Sequence, residues 1–506
     1  MSGRRLIRHW DYWGHWHVYR ILVDRALNRP LEGLAGLCVL QILFWTAFPA
    51  FGSLSPTLDV AEMLAWGQEW QLGYYKHPPL PAWLAEVGRL VTGEPIWGPM
   101  LISQLCVALT YLFVFLLGRR LLGARDAFLG TALLTGVFYF SWPTPEFNHN
   151  VIQMPLWAAV FYLFSLIADN PKRLIPWLWL GVAAGLGVYM KYSVGILYAV
   201  LGLWLLVDRQ MRVALISPAP WIGGLVAVAV ALPHLLWLVE AEFLPLVYAQ
   251  NRSAGADTGP WRPLGFLITQ WADHLPMLVP LLLALLPWRR ITNRQSAEPS
   301  VIRFLAIATL APVMLTVIIA IIAGIGLKDM WGAPMFTTSG LLAVAVLRER
   351  LTDTAARRML CGCFALLIVL PIAYAAQVPV ARALDRKPPR NGWPMAEITA
   401  RLTEVWRNET RAPLEIVGGN IWLAGLVSAG SVDRPSVRFE NEAAYSPWIS
   451  ADDLETYGLL LLWFGDARPQ TPDGLRSDKD GGIIVPWSGR GDLDIRYAIF
   501  KPAGRQ

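Results

Sequence analysis

Charge is scarce in this sequence. Asp, Glu, Lys and Arg supply 16% of the residues, where a soluble domain averages about 25%, and hydrophobic residues supply 55%. That imbalance excludes an ordinary water-soluble globule. Cysteine is nearly absent too: Cys38, Cys106, Cys361 and Cys363 all lie inside apolar runs. Cys361 and Cys363 are two apart and cannot face one another on a helix, so there is neither a disulfide framework nor a metal-type cysteine pattern. The chain has no Walker-type phosphate loop, no GxGxxG turn after a strand, no GxSxG elbow and no HExxH helix, which argues against a cytosolic nucleotide donor. No cleavable signal peptide is read either, because the basic start MSGRRLIRHW leads into polar aromatic sequence.

What is abundant is apolar length. Runs at about 34–52, 97–117, 126–142, 150–168, 174–190, 192–207, 219–239, 266–287, 303–325, 329–347 and 359–380 give about eleven spans, most near the roughly 20 residues a bilayer requires. Several of the 25 Trp, among them Trp97, Trp142, Trp261, Trp288 and Trp331, stand beside run ends, where aromatic belts sit. The eighth span carries Asp273 and His274 near its start, so it is expected to begin a turn later. The formal charge of +6 would suggest nucleic acid in a soluble protein. Here most of the excess is Arg in short loops, and topology explains it without a nucleic-acid partner.

GRRLLGARD, NPKR, DRQMR, WRRITNRQ and RERLTDTAARR alternate with loops holding only scattered cations. The positive-inside rule places the N-terminus in the cytoplasm and 53–97, 143–150, 240–265 and 326–330 outside. The expected organisation is a cytoplasmic interfacial helix in 1–33, a transmembrane domain in 34–382 and an external, periplasmic α/β domain in 383–506. The class is mainly α, a polytopic helical bundle with a small C-terminal α/β domain. His9, His15 and His17 lack a carboxylate or Cys at ligand spacing, which favours an interfacial helix over a metal site. In the tail, LTEVWRNETRAPLEIVGGNIWLAGLVSAG reads as helix, strand and Gly-rich turn. LETYGLLLLWFG and GGIIVPWSG read as buried strands and DIRYAIFKP as a final strand.

The stretch 53–97 is far longer than a helix connection needs, which is about 2–8 residues, and it is patterned. Leu58, Met63 and Trp66 fall near helical spacing, with Asp59 and Glu62 one turn apart on a neighbouring face. YYKHPPLP is expected to stop that helix. Two solvated carboxylates would be the plain reading of Asp59 and Glu62. Directly after a span, however, they sit at the membrane boundary, where partial desolvation makes a carboxylate a better base. PTPEFNHN offers Glu146, Asn148, His149 and Asn150 at the same surface. Glu146 can join Asp59 around a substrate hydroxyl or a divalent cation, while Asn150 alternatively caps a helix. Lys191, Arg252 and Lys328 are external cations beside spans. Lys191 reads either as a functional cation or as a snorkelling side chain. Converging with Lys76 and His77, such cations suit a phosphate or pyrophosphate.

A loop opening on Asp59 and closing on KHPPL, followed by the Glu146 loop, resembles the family 39 membrane glycosyltransferases of the GT-C fold. Within them it is most similar to the bacterial polyprenyl-phosphate-sugar enzymes, the lipid A aminoarabinose transferases and the rhizobial galacturonosyltransferases. The resemblance covers roughly 34–210, with echoes at EFLPLVYAQNR and KDMWGAP. It implies a polyprenyl-phosphate-linked sugar donor, a lipid A, lipopolysaccharide or other envelope glycan acceptor, and inversion at the anomeric carbon, in the bacterial inner membrane. Carried over, Asp59 is the catalytic carboxylate, Glu146 the second acidic position, and Lys76, His77 and the later cations hold the donor phosphate. Two positions depart from the pattern. Val60 and Ala61 stand between Asp59 and Glu62 where many relatives have adjacent acids, and Lys76 stands where the aminoarabinose enzymes carry a metal-linked Glu. A bound divalent cation is therefore left open. The rival readings are a lipid or glycan transporter or flippase, which calls for charges inside spans and internal repeats, an envelope-assembly scaffold, and an O-antigen-type ligase.

Overall fold

The computed structural model describes residues 13–254, 259, 261–285, 294–471, 475–487 and 491–503. Among them, five helices are long and apolar enough to cross a bilayer: Pro30–Phe51, Trp97–Leu122, Ala219–Glu240, Pro299–Ala323 and Asp353–Ala383. Two helix pairs are long and apolar enough only when taken together, and each is bent in the middle: Arg262–Ala272 with Leu275–Leu285 at 44° and Asp329–Phe336 with Ser339–Arg350 at 56°. Gln153–Asp169, Leu174–Met190 and Tyr192–Val207 are shorter apolar helices. Leu225, Leu236, Ile321 and Ile322 lie on outward faces, each more than half exposed, a surface suited to lipid. The chain is a multi-pass membrane protein. Helices approach closely through small residues: a Cβ on Gly181 would lie 2.2 Å from the Gly223 carbonyl of the neighbouring span.

Three drawn spans differ from expectation. The run at 126–142 is helical only over Ala124–Leu133 and then breaks into two short 3-10 turns, with Val137 extended between them and Phe138 N–H donating to the Asp273 carbonyl. The eighth span starts before Asp273, not after it, and breaks there. The tenth opens as a 3-10 segment, Asp329–Phe336, with Pro334 inside it. At the N-terminus, Trp13–Asn28 is a helix whose Val23 and Leu27 are buried. Asp24 pairs with Arg357 at 2.5 Å. His9 and the side chains of His15 and His17 lie outside the described residues.

The basic loops assigned to one face gather at one end and neutralise local acids. Arg120 pairs with Asp169, and Arg125 with Asp353 at 2.5 Å. Arg294 and Arg348 both reach Asp126, which is buried, at 2.9 and 3.0 Å.

At the other end, 53–97 folds into helices Leu58–Gly67 and Leu80–Thr92. The first helix ends at Gly67, well before YYKHPPLP, and the chain turns through Trp70 at φ 49°. Tyr74 and His77 then close a tight turn with reciprocal backbone hydrogen bonds of 3.0 and 3.1 Å. The prolines begin the next helix instead of stopping the previous one: Pro81 occupies its first turn, where a missing N–H costs nothing.

The C-terminal segment forms helix Met395–Thr410 and five strands, β1 (Ile416–Gly419), β2 (Ser436–Phe439), β3 (Leu459–Phe464), β4 (Lys479–Val485) and β5 (Leu493–Phe500). The sheet order is β2-β1-β3-β5-β4, with β2, β1 and β3 parallel and β5 antiparallel to both β3 and β4. Residues 421–430, within the stretch read as a Gly-rich turn, instead form helix Ile421–Gly430 connecting β1 to β2. GGIIV is not buried but a largely exposed edge strand, whereas β3 is buried through Leu459–Trp463. This unit sits on the first loop. Arg434 donates to Glu86 at 2.9 Å and to the Leu64 carbonyl, and Ser436 donates to Glu69 at 2.7 Å.

Candidate active site

The segments expected on the external face converge on one cavity of about 620 Å³, within the usual range for a small-molecule site. Asp59, Glu62, Lys76, His77, Asn148, His149, Asn150, Lys191, Arg252 and Lys328 all line it. Glu146 does not line it, but lies close enough behind Asp59 for the two carboxylates to repel one another.

Asp59 stands in the first turn of Leu58–Gly67. Burial raises its pKa, against the opposing pull of Arg390, Lys76, Lys191 and Arg252. Glu146 is pushed up to about 7, by burial first and by Asp59 second. Its Oε1 is buried with no hydrogen-bond partner among the described residues. Two carboxyls sharing a dry pocket share their protons, and a raised pKa near working pH suits proton transfer. One turn on from Asp59, Glu62 accepts from Lys76 Nζ at 2.6 Å, and both side chains are nearly buried. Burial draws Glu62 toward its neutral form while Lys76 opposes it. For Lys76, burial favours proton loss, yet Glu62 outweighs it and the net shift is upward, so the contact is an ion pair. The Lys76 ammonium also lies over the Tyr75 and Tyr248 rings, 5.1 and 5.5 Å from their centroids.

His77 and His149 meet with ring centroids 3.9 Å apart. Burial and the neighbouring lysines push His77 down to about 3, and burial with His77 holds His149 well below the usual histidine range. Both rings are thus held toward the neutral form, in which His77 can meet a phosphate as a hydrogen-bond donor and not as a cation. His149 Nε2 is buried without a partner. Asn150 does not cap the following helix, whose N-cap is Ile152 with no side-chain cap bond; Asn148 Oδ1 accepts from Asn150 and Val151 N–H within the preceding turn. Asn150 Oδ1 instead accepts from Lys191 Nζ at 2.5 Å. Lys191 follows Leu174–Met190 in extended conformation and its side chain turns into the cavity instead of snorkelling away. Burial pushes its ammonium down to about 8. Lys191, Arg252 and Lys328 have no ion-pair partner among the described residues.

Sequence reading missed the contribution of the tail. Asn420, Ile421, Trp422 and Glu440 complete the cavity wall, at the carboxyl ends of β1 and β2, where open α/β sheets present their binding crevices. Gly419 permits this: its φ is +95°, and a Cβ there would lie 2.2 Å from the Leu462 carbonyl. Asn420 then caps Ile421–Gly430, accepting from Trp422 and Leu423 N–H. Tyr445 stacks on Tyr75 at 4.0 Å. Arg390, exposed in the linker before the tail, is the strongest counter-charge felt by Asp59. The adjacent Asn391 holds the start of the first loop, its carbonyl accepting from Leu54 and Ser55 N–H. The separation of Arg390 from Asp59 by more than 300 residues left no local signal.

The donor set fits a divalent cation poorly. Lys76 occupies Glu62, Lys191 occupies Asn150, and no group of three His, Cys, Asp or Glu among the described residues is arranged to hold a metal. What the arrangement offers is desolvated Asp59, backed by Glu146, in one cavity with three cations that have no ion-pair partner among the described residues.

Residues 76–237 match the profile of the dolichyl-phosphate-mannose-protein mannosyltransferase family. The chain is 25% identical to the lipopolysaccharide core galacturonosyltransferase RgtA of Rhizobium johnstonii, over 92% of this chain and 88% of that one. It is 28% identical to the undecaprenyl phosphate-alpha-4-amino-4-deoxy-L-arabinose arabinosyl transferase of Pseudomonas aeruginosa, over 46% of this chain and 43% of that one. Its fold matches the crystal structure of ArnT from Cupriavidus metallidurans bound to undecaprenyl phosphate, with TM-score 0.64 at 13% identity over 92% of this chain and 98% of that one. The chain is a membrane glycosyltransferase with the GT-C fold, and in sequence it is similar to the family 39 enzymes.

Proposed function

We propose that the cavity moves one sugar from a polyprenyl-phosphate donor to a lipid A, lipopolysaccharide or related envelope glycan acceptor on the periplasmic face of the bacterial inner membrane, with inversion. The observation that carries this reading is that desolvated Asp59, with Glu146 behind it, faces Lys191, Arg252 and Lys328 in one cavity. The full-length likeness to a lipopolysaccharide core galacturonosyltransferase supports an envelope acceptor.

In this reading the acceptor hydroxyl attacks the anomeric carbon from the face opposite the phosphate. The new C–O bond forms as the bond from that carbon to the phosphate oxygen breaks, and the acceptor proton passes to Asp59. The bonding pair leaves with the polyprenyl phosphate, whose added negative charge falls on Lys191, Arg252 and Lys328. A phosphate is a good leaving group when its charge is met, so the site needs cations more than it needs an acid. Glu146 keeps Asp59 basic by repulsion and takes no bond to substrate. Lys76, tied to Glu62, fixes the floor of the cavity and adds positive potential. We assign the charge of the leaving group to these side chains and not to a divalent cation, because no three His, Cys, Asp or Glu among the described residues are grouped to hold one. Sugar transfer by purified protein is accordingly expected to survive EDTA.

The test of the function is mass spectrometry of envelope lipids and glycans from cells with and without the gene, beside an Asp59→Asn strain. Loss of one sugar mass in both, with accumulation of a polyprenyl-phosphate sugar, is the expected result. An unchanged profile with the protein expressed would move the assignment to transport or scaffolding.

A further inference from the structure

A second cavity shares no lining residue with the first. Helices Gly195–Val207 and Pro299–Ala323 leave between them a groove of about 610 Å³. Its walls are apolar, formed by residues such as Leu203, Ile307 and Met314, and its charged lining consists of Asp208, Arg209 and Arg303. Arg209 follows the C-terminus of Gly195–Val207, whereas Lys191 precedes its N-terminus. Thirteen helical residues separate them by roughly 20 Å, so the charged mouth faces the end of the molecule opposite the sugar-transfer cavity. Neither guanidinium has an ion-pair partner among the described residues. Asp208 uses Oδ1 to accept from Gln210 and Met211 N–H, and its Oδ2 has no hydrogen bond among the described residues.

We propose that this groove is a binding site for a phosphatidylethanolamine-type phospholipid of the leaflet opposite the sugar-transfer cavity. Two guanidiniums match the phosphate of the headgroup by charge-assisted hydrogen bonds, the free Asp208 oxygen matches its ammonium, and the apolar walls take the acyl chains. Basic pockets between spans are recognised sites for lipid headgroups. The carboxylate in this one distinguishes it from a site for a purely anionic lipid. An isoprenyl phosphate would satisfy the arginines and the walls but leave Asp208 against an anion. The inference stands apart from the sugar-transfer reading, since no residue is shared between the two cavities.

The experiment is native mass spectrometry of the purified full chain with dioleoyl phosphatidylethanolamine, phosphatidylcholine, phosphatidylglycerol and undecaprenyl phosphate at equal concentration. Phosphatidylethanolamine is expected to be retained best, by about tenfold over phosphatidylcholine, whose quaternary head donates no hydrogen bond; a charge-assisted bond carries a free energy of that order. Asp208→Asn, which keeps a capping oxygen, is expected to abolish that preference while phosphatidylcholine retention stays unchanged. Arg209→Gln with Arg303→Gln is expected to release every phospholipid. Ala311→Trp fills the groove without touching a charge, and it is expected to do the same should the arginine variant fold poorly. Equal retention of all four lipids by the wild type, preference for undecaprenyl phosphate, or undiminished phosphatidylethanolamine binding by Ala311→Trp would overturn the proposal.

Discussion

Two aspartates, Asp126 and Asp59, sit at opposite ends of this molecule in nearly dry surroundings and meet opposite fates. Asp126 is 1% exposed and held by two guanidiniums, Arg294 and Arg348, at 2.9 and 3.0 Å. Asp59 has no ion-pair partner among the described residues, and burial drives its pKa upward. The same division runs through their neighbours. At the Asp126 end, charges are spent on one another: Arg120 with Asp169, Arg125 with Asp353, Arg357 with Asp24. At the Asp59 end, Lys191, Arg252 and Lys328 face a cavity with no counter-ion. A protein that tolerates uncompensated cations beside an uncompensated carboxylate leaves room for a ligand to complete the pairing. One end holds the helices in register, and the other awaits a substrate.

The sharpest way to break that comparison is to neutralise each aspartate in turn. Asp59→Asn is expected to lower kcat by about 10²–10⁴-fold, the usual contribution of a general base, with the thermal unfolding of the purified protein unchanged. Asp126→Asn leaves two guanidiniums without their acid. Breaking a buried pair costs about 3–5 kcal/mol, so its yield and unfolding temperature are expected to fall while the folded fraction keeps its kcat. Full transfer by Asp59→Asn would falsify the base assignment.

The cations come next in size. Lys191→Met removes a charge-assisted contact to the donor phosphate, worth about 1.5–3 kcal/mol, and is expected to raise the donor KM more than it lowers kcat. The pH profile carries the same information. Asp59 and Glu146 are both shifted upward, Glu146 to about 7, so acid removes the carboxylate form early and kcat/KM rises through that region. Lys191 is shifted down to about 8, so above that pH the free enzyme loses the cation and kcat/KM falls. Glu146→Gln removes the repulsion on Asp59 and is expected to move the rising limb to lower pH. His77 is pushed down to about 3, too low for the acid limb to be its own.

How much of this was legible in the sequence depended on how local each signal was. The helix carrying Asp59 and Glu62 was readable because Leu58, Met63 and Trp66 recur near helical spacing, but the burial of residues 60–67, Glu62 included, was not. Loop cations beside spans were readable as well, and the structure gathers them as expected. The role of KHPPLP was misread, because a proline pair marks a boundary without saying whether a helix ends or begins there. The break at Val137 escaped notice, and the one at Asp273 was read as a later helix start, because hydropathy averages over a window and a short kink leaves the average unchanged. The low charge of His77 was not readable, because charge state follows burial, which composition does not reveal. Arg390 and the wall formed by Asn420, Trp422 and Glu440 were beyond reach, since only the completed fold brings residues 300 or more positions away to Asp59.

The smallest expected effect tests whether the tail belongs to the site or merely lies beside it. Arg434 stands at φ 50° and donates to Glu86, to the Leu64 carbonyl and to the Ser428 carbonyl. Glu86 is buried and keeps Arg89 as a second partner, so Arg434→Met does not strand it. The loss is then that of a few hydrogen bonds in a partly buried contact, on the order of 1–2 kcal/mol. Helix Leu58–Gly67 carries Asp59, the proposed base, and receives Gly425 against Ala61. Loosening the contact therefore shifts the cavity wall at Asn420, Trp422 and Glu440 relative to Asp59 without altering any group that meets the donor phosphate. The acceptor KM is expected to rise severalfold, the donor KM to stay near wild type, and the linker around 383–394 to become easier to cleave by protease. An equal rise in both KM values would place the tail on the donor side of the reaction. No change in either, with faster cleavage, would make it a separate module resting on the first loop.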